Sequence, residues 1–451
     1  MSATEQAPPA RPESDVSSTV GLVGLAGLVA WVAFARWFPD IAEALGWAVP
    51  RDTLGGRNSA LFGLLAAALP MAAWSILVDK VHLRPSTGLD WSLVRTRRPD
   101  RSVTWIKLAG LWATWAIIAG LYCLCRWYWD GQYLFSMQVL GYSAIPLVAL
   151  SIPYVFWIDR ALVNPRDQAW HFGALLLMRP GWDMDEVAKH WRAWIIKAFF
   201  TAFMISIIPF AFRTIVTADF AEIAARPERI ALTIIEAMFM IDVMIGTVGY
   251  IVTMRPLDAH IRSGNPFLGG WIAAFICYPP LVWGILGGGK AINYEHNTAG
   301  WLHWLAGHDT LIALWGALLV FLTGIYAWAT FAFGLRFSNL TYRGVLTNGP
   351  YRFTRHPAYV SKNLFWWCAV LPFLVTTGSP VDAIRNCFFL AVVNGIYFWR
   401  AKTEEAHLLA EDRKYRDYHA WMAQNGLLTA PLTRLWNRVR PRSALAGQPA
   451  E

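Results

Sequence analysis

The stretch from Asn348 to Asn363, NGPYRFTRHPAYVSKN, gathers Tyr351, Arg352, Arg355, His356 and Tyr359 between apolar segments. Gly349 and Pro350 force a turn, and Pro357 suits the first turn of a helix. Arg355 and His356 then stand beside free backbone N–H groups, and a helix start furnished in this way attracts anions. Further along, Arg400, Glu404 and Glu405 occupy the exit of the last apolar segment. The glutamate pair is expected to open a new helix on the same membrane side, where a carboxylate can accept hydrogen bonds from a ribose diol. One pocket would then hold both an acid group and a sugar. Each group also has a plainer use. Arg352 suits topology and headgroup binding, Tyr351 and Tyr359 suit an interfacial belt, and Glu404 and Glu405 suit any first helical turn. The pocket reading rests on their joint occurrence on one face.

Other ionisable groups offer less. Glu236 and Asp242 fall inside an apolar segment, where a charge is costly and commonly functional or paired with a neighbouring helix. Their spacing points them to different helix faces. Asp258 and His260 read as surface groups. His296, His303 and His308 lie on the side away from the proposed pocket, and no metal is expected. Cys123, Cys125, Cys277, Cys368 and Cys387 fall in or at the ends of apolar segments without metal spacing, and read as packing residues.

The elements that must position these groups follow from composition. The chain has 451 residues, 56% of them hydrophobic and only 15% charged, which excludes an ordinary soluble domain. Apolar runs of spanning length occupy 18–38, 59–78, 106–128, 137–158, 193–212, 230–254, 268–286, 310–333, 361–377 and 383–399. The expectation is an all-α, polytopic bundle of about ten transmembrane helices. Residues 1–17 form a polar, Pro-rich tail expected to be disordered, with no cleavable signal.

Basic residues set the orientation, because Lys and Arg stay preferentially on the cytoplasmic side. With the N-terminus inside, the inner loops carry Lys80, Arg84, Arg95, Arg97, Arg98, Arg101, Arg160, Arg166, Arg255, Arg262, Arg336 and Arg343, among others. The outer loops hold Arg51, Arg57, Arg126, Arg213, Arg226, Arg229, Lys290 and little else. Both termini and the Arg355–His356 segment are therefore expected in the cytoplasm. The formal charge of +9 reflects topology and attraction to anionic lipid, with no nucleic-acid partner. Asp183 can cap an interfacial helix leading into the fifth span. Residues 399–426 form an amphipathic cytoplasmic helix stopped by Asn425 and Gly426. The segment from Arg434 onward reads as a basic tail lacking structure. Four regions result: the tail at 1–17, seven spans at 18–309, a site-bearing region at 310–426 and the tail at 427–451.

GPYRFTRHPAY, followed by a pair of spans and EEAHLL with YRDY, resembles the C-terminal region of isoprenylcysteine carboxyl methyltransferases and related phospholipid methyltransferases. The likeness covers roughly residues 310–425. It implies an integral membrane enzyme using S-adenosylmethionine, with Gly349, Pro350, Tyr351, Arg355, His356, Pro357, Tyr359, Glu404 and Glu405 around the cofactor. Arg355 and His356 would hold the methionine carboxylate and Glu404 or Glu405 the ribose. Arg400 would pair with the acceptor or with a neighbouring glutamate. An anionic acceptor needs no base, whereas an amine would find His356 or Tyr359 nearest. Ser361 stands where the family usually has glycine, and the seven preceding spans exceed those of small members.

The wider superfamily includes sterol reductases of about ten spans that use NADPH. Their motif ends in an acid where this chain has Lys362. Three functions follow: methylation of a membrane lipid or lipidated acceptor, NADPH-dependent reduction of a lipid, and a non-catalytic carrier with a degenerate pocket. Motif detail favours the first.

Overall fold

The computed structural model describes residues 10–439. Eight helices are long and apolar enough to cross a membrane. They are α1 (Ser18–Ala44), α2 (Arg57–Leu77), α3 (Arg101–Cys125), α4 (Leu134–Ala161), α6 (Met184–Val216), α7 (Pro227–Ile251), α9 (Asp309–Phe331) and α11 (Pro380–Glu411). Shorter helices are α5 (Gln168–Leu176), α8 (Leu268–Phe275), α10 (Pro357–Val370), α12 (Arg413–Asn425) and α13 (Thr429–Val439). The protein is therefore an all-α membrane bundle. Among the described residues its only sheet is a two-residue antiparallel pair, β1 (Ser263–Gly264) with β2 (Thr341–Tyr342).

Small residues let the helices close on one another. A Cβ on Gly173 of α5 would sit 1.9 Å from the Ile106 carbonyl oxygen of α3, and one on Gly21 of α1 equally close to the Phe331 carbonyl. Neither position has room for alanine. The largest core cluster joins α1, α2, α6 and α7 through Leu28, Met71, Ile208, Phe212 and Met244, while α9 packs along α7 and α10.

Two of the ten apolar runs differ from the expected long helices. Residues 268–286 form α8 and one further turn at Val282–Ile285, because Pro279, Pro280 and the glycines from Gly284 to Gly289 interrupt the backbone ladder. The segments on either side of this run contact opposite ends of α11. Asn265 donates to the Thr403 carbonyl near one end of α11, and the His296 N–H donates to Asn386 Oδ1 near the other. Residues 361–377 contribute to α10, whose 14 residues cover about 21 Å. Leu371 ends it with φ of 50°, just before Pro372. Trp315, near the start of α9, donates to the Cys368 carbonyl at 2.9 Å, so α10 runs back along α9.

Other expectations change at the same end of the molecule. Asp183 caps through the N–H groups of Asp185 and Glu186, but the helix it starts is continuous with the fifth apolar run over 33 residues. Glu404 and Glu405 do not open a helix. They lie in the last turns of α11, which stops at Asp412, and Asp412 caps α12 through the Lys414 N–H. Tyr415, Tyr418 and Met422 bury one face of α12, and Asn425 does end it. Residues 434–439 belong to helix α13, and the remainder of the basic tail lies outside the described residues. Within the N-terminal tail, residues 1–9 also lie outside them. Residues 10–17 are held: Asp15 exchanges hydrogen bonds with Val345 and pairs with Lys414 at 2.7 Å. Pro12 and Val16 accept from Thr347 and Asn348.

Asp258 is no surface group. It is 1% exposed, and its carboxylate binds Arg336 at 2.5 Å, Arg262 at 3.2 Å and the Ser86 hydroxyl at 2.7 Å. Beside it Arg343, 3% exposed, donates to the carbonyls of Gly249, Leu335 and Phe337 within 2.9 Å and to that of Ala259. Glu236 is exposed on α7, whereas Asp242 is buried and accepts from Thr330.

Burial, with Arg255 and Arg262 close by, pushes His260 down to about 2, and its Nδ1 has no partner among the described residues. The folded chain thus keeps this imidazole neutral while the unfolded chain protonates near 6.5. Stability is undiminished above pH 6.5 and is lost progressively as pH falls from there toward the folded value. Between pH 7.5 and 5.5, urea unfolding in detergent should show His260→Gln losing about 1 kcal/mol less than the parent chain.

Candidate functional site

A cleft opens at the end of the bundle where α9 finishes, α10 begins and α11 exits. Its water-accessible interior is about 160 Å³, rising to about 1280 Å³ of atom-free space when the open mouth is counted. The Gly349–Arg352 turn, with Gly349 at φ of 56°, carries the chain past Trp328 of α9. A Cβ there would lie 3.2 Å from the Trp328 indole nitrogen, so glycine meets both a backbone and a space requirement. His356 and Pro357 then start α10.

The sequence-selected residues divide into two groups. Tyr351, Arg355, His356, Tyr359, Arg400 and Glu404 line the cleft. Gly349, Pro350, Pro357 and Glu405 lie outside its lining. The first three shape the turn that delivers their neighbours. Glu405 is consumed by the protein itself: Arg355 Nε lies 2.8 Å from its Oε1, His356 Nε2 donates to the same oxygen at 3.0 Å, and Lys402 binds Oε2 at 2.8 Å. The Arg355 approach is a charge contact, since its Nε lacks an aligned hydrogen bond.

Glu404 is differently placed. Its Oε1 accepts from the Tyr359 hydroxyl at 2.6 Å and from Arg400 Nε at 3.3 Å, and among the described residues its Oε2 has no partner. Successive residues on a helix diverge by about 100°, so one glutamate turns into the ion cluster and the other into the cleft. Arg400 is 1% exposed, anchored at 2.5 Å to Asn339 Oδ1, and stacked 5.0 Å and 5.5 Å from the Tyr359 and Tyr278 ring centres. It orients Glu404 through Nε and is held at Asn339 through one terminal nitrogen. His356 lies parallel to Tyr359 at 5.6 Å.

Several lining residues escaped sequence reasoning. Tyr278, Tyr326 and Tyr397 come from three separate apolar runs and meet around Lys362, whose ammonium lies 5.4 Å and 5.5 Å from the Tyr326 and Tyr397 ring centres. Tyr278 and Tyr326, placed well inside apolar runs and away from an interfacial belt, carried a signal that could have found them; Tyr397, near the end of its run, did not. Asn339 came from a loop with no motif; its Nδ2 is buried without a partner. Val16 of the N-terminal segment also reaches the cleft. Tyr418 closes the rim by donating to the Tyr351 carbonyl at 2.6 Å, and burial pushes this phenol well above its ordinary value, so it remains a donor. Ser361 is buried and bonds back to Ala358. Arg352 is exposed, as its plainer reading anticipated.

The two glutamates should separate by measurement. Glu405→Gln removes the buried counter-charge of Arg355 and Lys402, and losses of about 3–5 kcal/mol accompany such removals. Glu404→Gln keeps its Tyr359 contact and should cost about 1 kcal/mol. Chemical unfolding in detergent reports both, and equal losses would refute the division.

Compared with family models, curated proteins and solved structures, the chain matches none.

Proposed function

We propose that this protein is a multi-pass membrane methyltransferase that uses S-adenosylmethionine and acts on a lipid or lipid-linked acceptor. One observation carries the reading: two segments distant in sequence bring Arg355, His356 and Tyr359 together with Arg400 and Glu404 in one cleft at the charged-loop end. The donor set suits the cofactor. Glu404 Oε2 is the open acceptor for ribose hydroxyls, Arg355 faces the cleft as the cation for a carboxylate, and tyrosine faces suit a sulfonium. The unpartnered Asn339 amide is available to a further acceptor atom. With Glu405 already bonded, the ribose role falls to Glu404, and His356 serves to fix the entry of α10 through Glu405.

The cofactor supplies an activated methyl group on positive sulfur. Transfer in line to a nucleophile needs alignment and exclusion of water more than proton traffic. The chain's part is correspondingly simple. Arg400 orients Glu404, the Tyr359 ring and hydroxyl form the wall between them, and α12 with Tyr418 shields the rim. An acceptor would enter sideways from the bilayer past Phe365 and Trp366, leaving its hydrocarbon in lipid. Extraction into water would cost about 0.8 kcal/mol per methylene.

The same reading has ten passes and both termini in the cytoplasm, supported by the basic loops gathered at the cleft end. A second reading, NADPH-dependent reduction of a lipid, draws on Lys362 with Tyr326 and Tyr397. Such a cluster offers protons to a carbon receiving hydride, a use that methyl transfer does not make of Lys362.

Purified protein at S-adenosylmethionine concentrations of about 100 Kd should gain about 2.7 kcal/mol, seen as a raised unfolding midpoint, and NADPH should give no gain. Arg355→Ala and Glu404→Gln should abolish the shift. Membranes given methyl-labelled cofactor should carry label into the organic-solvent fraction. A gain from NADPH alone would favour the reductase.

Reporter fusions after Asp159 and Trp399 should read cytoplasmic, and one after Asp219 external. The opposite result at Trp399 would separate the cleft from cytosolic cofactor and overturn the assignment.

A further inference from the structure

Away from the cleft, the loop between α2 and α3 folds against the end of α4 and gathers guanidinium groups that make no ion pair among the described residues. Among the described residues Arg95, Arg97, Arg98, Arg101 and Arg160 have no carboxylate partner. The nearby acids make other contacts. Asp90 binds the Ser92 N–H and hydroxyl at 2.9 and 2.6 Å, Asp100 caps α3 through Ser102 and Val103, and Asp159, 2% exposed, pairs with Lys107 at 2.5 Å. Five guanidinium groups therefore gather at this membrane-end surface without an ion pair to any carboxylate among the described residues, although Asp90 and Asp100 keep their charge nearby.

Two of them are preorganised. Arg97 donates one N–H to the Leu162 carbonyl at 2.8 Å, and Arg160 returns a bond to the Val94 carbonyl. These reciprocal bonds tie the loop to α4 and hold each planar group while its other donors remain open. Arg160 Nε is buried without a partner. Arg97, Arg98 and Arg160 line one cleft with Pro99, Phe156 and Trp157. Trp157 is 42% exposed on the apolar side of α4 and packs at a tilt against Trp91, ring centres 5.5 Å apart. Phe156 packs on Trp105 of α3 at 5.7 Å. The cleft thus has guanidinium donors at its polar edge and aromatic walls that continue into the exposed apolar flank of α3 and α4.

We propose that this cleft binds the phosphate of an anionic phospholipid, with its acyl chains lying against the flank of α4. Guanidinium forks match phosphate oxygens and desolvate more readily than ammonium groups. Their partial fixation lowers the ordering cost of binding. A free phosphate would satisfy the same donors, but it would leave Phe156 and Trp157 uncovered.

The test is thermal unfolding of the full chain in neutral detergent, titrated with phosphatidylglycerol, phosphatidylcholine or inorganic phosphate. Phosphatidylglycerol should raise the midpoint saturably, and the other two should not at equal concentration. Arg98→Glu, at a side chain with no hydrogen bond among the described residues, should weaken the apparent affinity at least tenfold. Arg98→Gln should weaken it in the same direction and serves if the reversal fails to fold. Arg179→Glu, an exposed arginine outside the cleft, should leave it unchanged. Equal loss in Arg179→Glu would mean a diffuse surface field, and no loss in either Arg98 variant would mean binding elsewhere. Equal protection by inorganic phosphate would mean a free-anion site. Each of these outcomes overturns the proposal.

Discussion

The buried guanidinium of Arg343 is the fastening on which the cleft end of the molecule depends. Carbonyl groups left over where α7 ends and where the loop after α9 turns have no helical partners, and a buried polar group without one is costly. Arg343 supplies donors to four of them at once, from Gly249, Ala259, Leu335 and Phe337. The loop from Gly334 to Asn348 is thereby pinned to α7, and it contributes one wall of the cleft. Arg336 repeats the device by donating to the Arg343 carbonyl while pairing with Asp258. An irregular loop at a membrane boundary can be rigid only if its backbone is satisfied in this way.

On that platform the acids of α11 take opposite parts. Glu405 is the anion of a local ion cluster that joins α10, α11 and, through His419 at 4.0 Å, α12. Glu404 keeps one oxygen open. A binding group must be held by neighbours yet not exhausted by them, and adjacent positions on one helix achieve this because a single residue step changes the face. The interrupted helices serve the same end. α8 stops early, which lets Tyr278 approach Arg400, and α10 starts at His356 only because the Gly349–Arg352 turn brings the chain back beside α9.

The N-terminal segment adds a third contribution. Asp15 bridges the loop at Val345 and the helix at Lys414, and burial of its carboxylate is outweighed by the Lys414 and Val345 bonds, which hold it below the usual carboxylate range. Val16 is thus carried to the cleft from more than three hundred residues away in sequence.

Composition and periodicity by themselves determined an all-α membrane bundle, since apolar length alone decides which segments can leave water. The Gly349 turn, the Pro357 helix start, the Asp183 cap and the stop at Asn425 were also legible, because caps and turns are local chemistry. So was the separation of Glu236 from Asp242, which helical period dictates. Tertiary structure alone decided which of Glu404 and Glu405 faces the cleft, that α11 runs on through both, and that Asp258 is buried. It also decided that the residues of the tail from Arg11 to Ser17 are held in place and that Tyr278, Tyr326, Tyr397 and Asn339 converge with Lys362. These depend on which helices become neighbours and which leftover polar groups find partners across long sequence separations. No local pattern encodes that pairing.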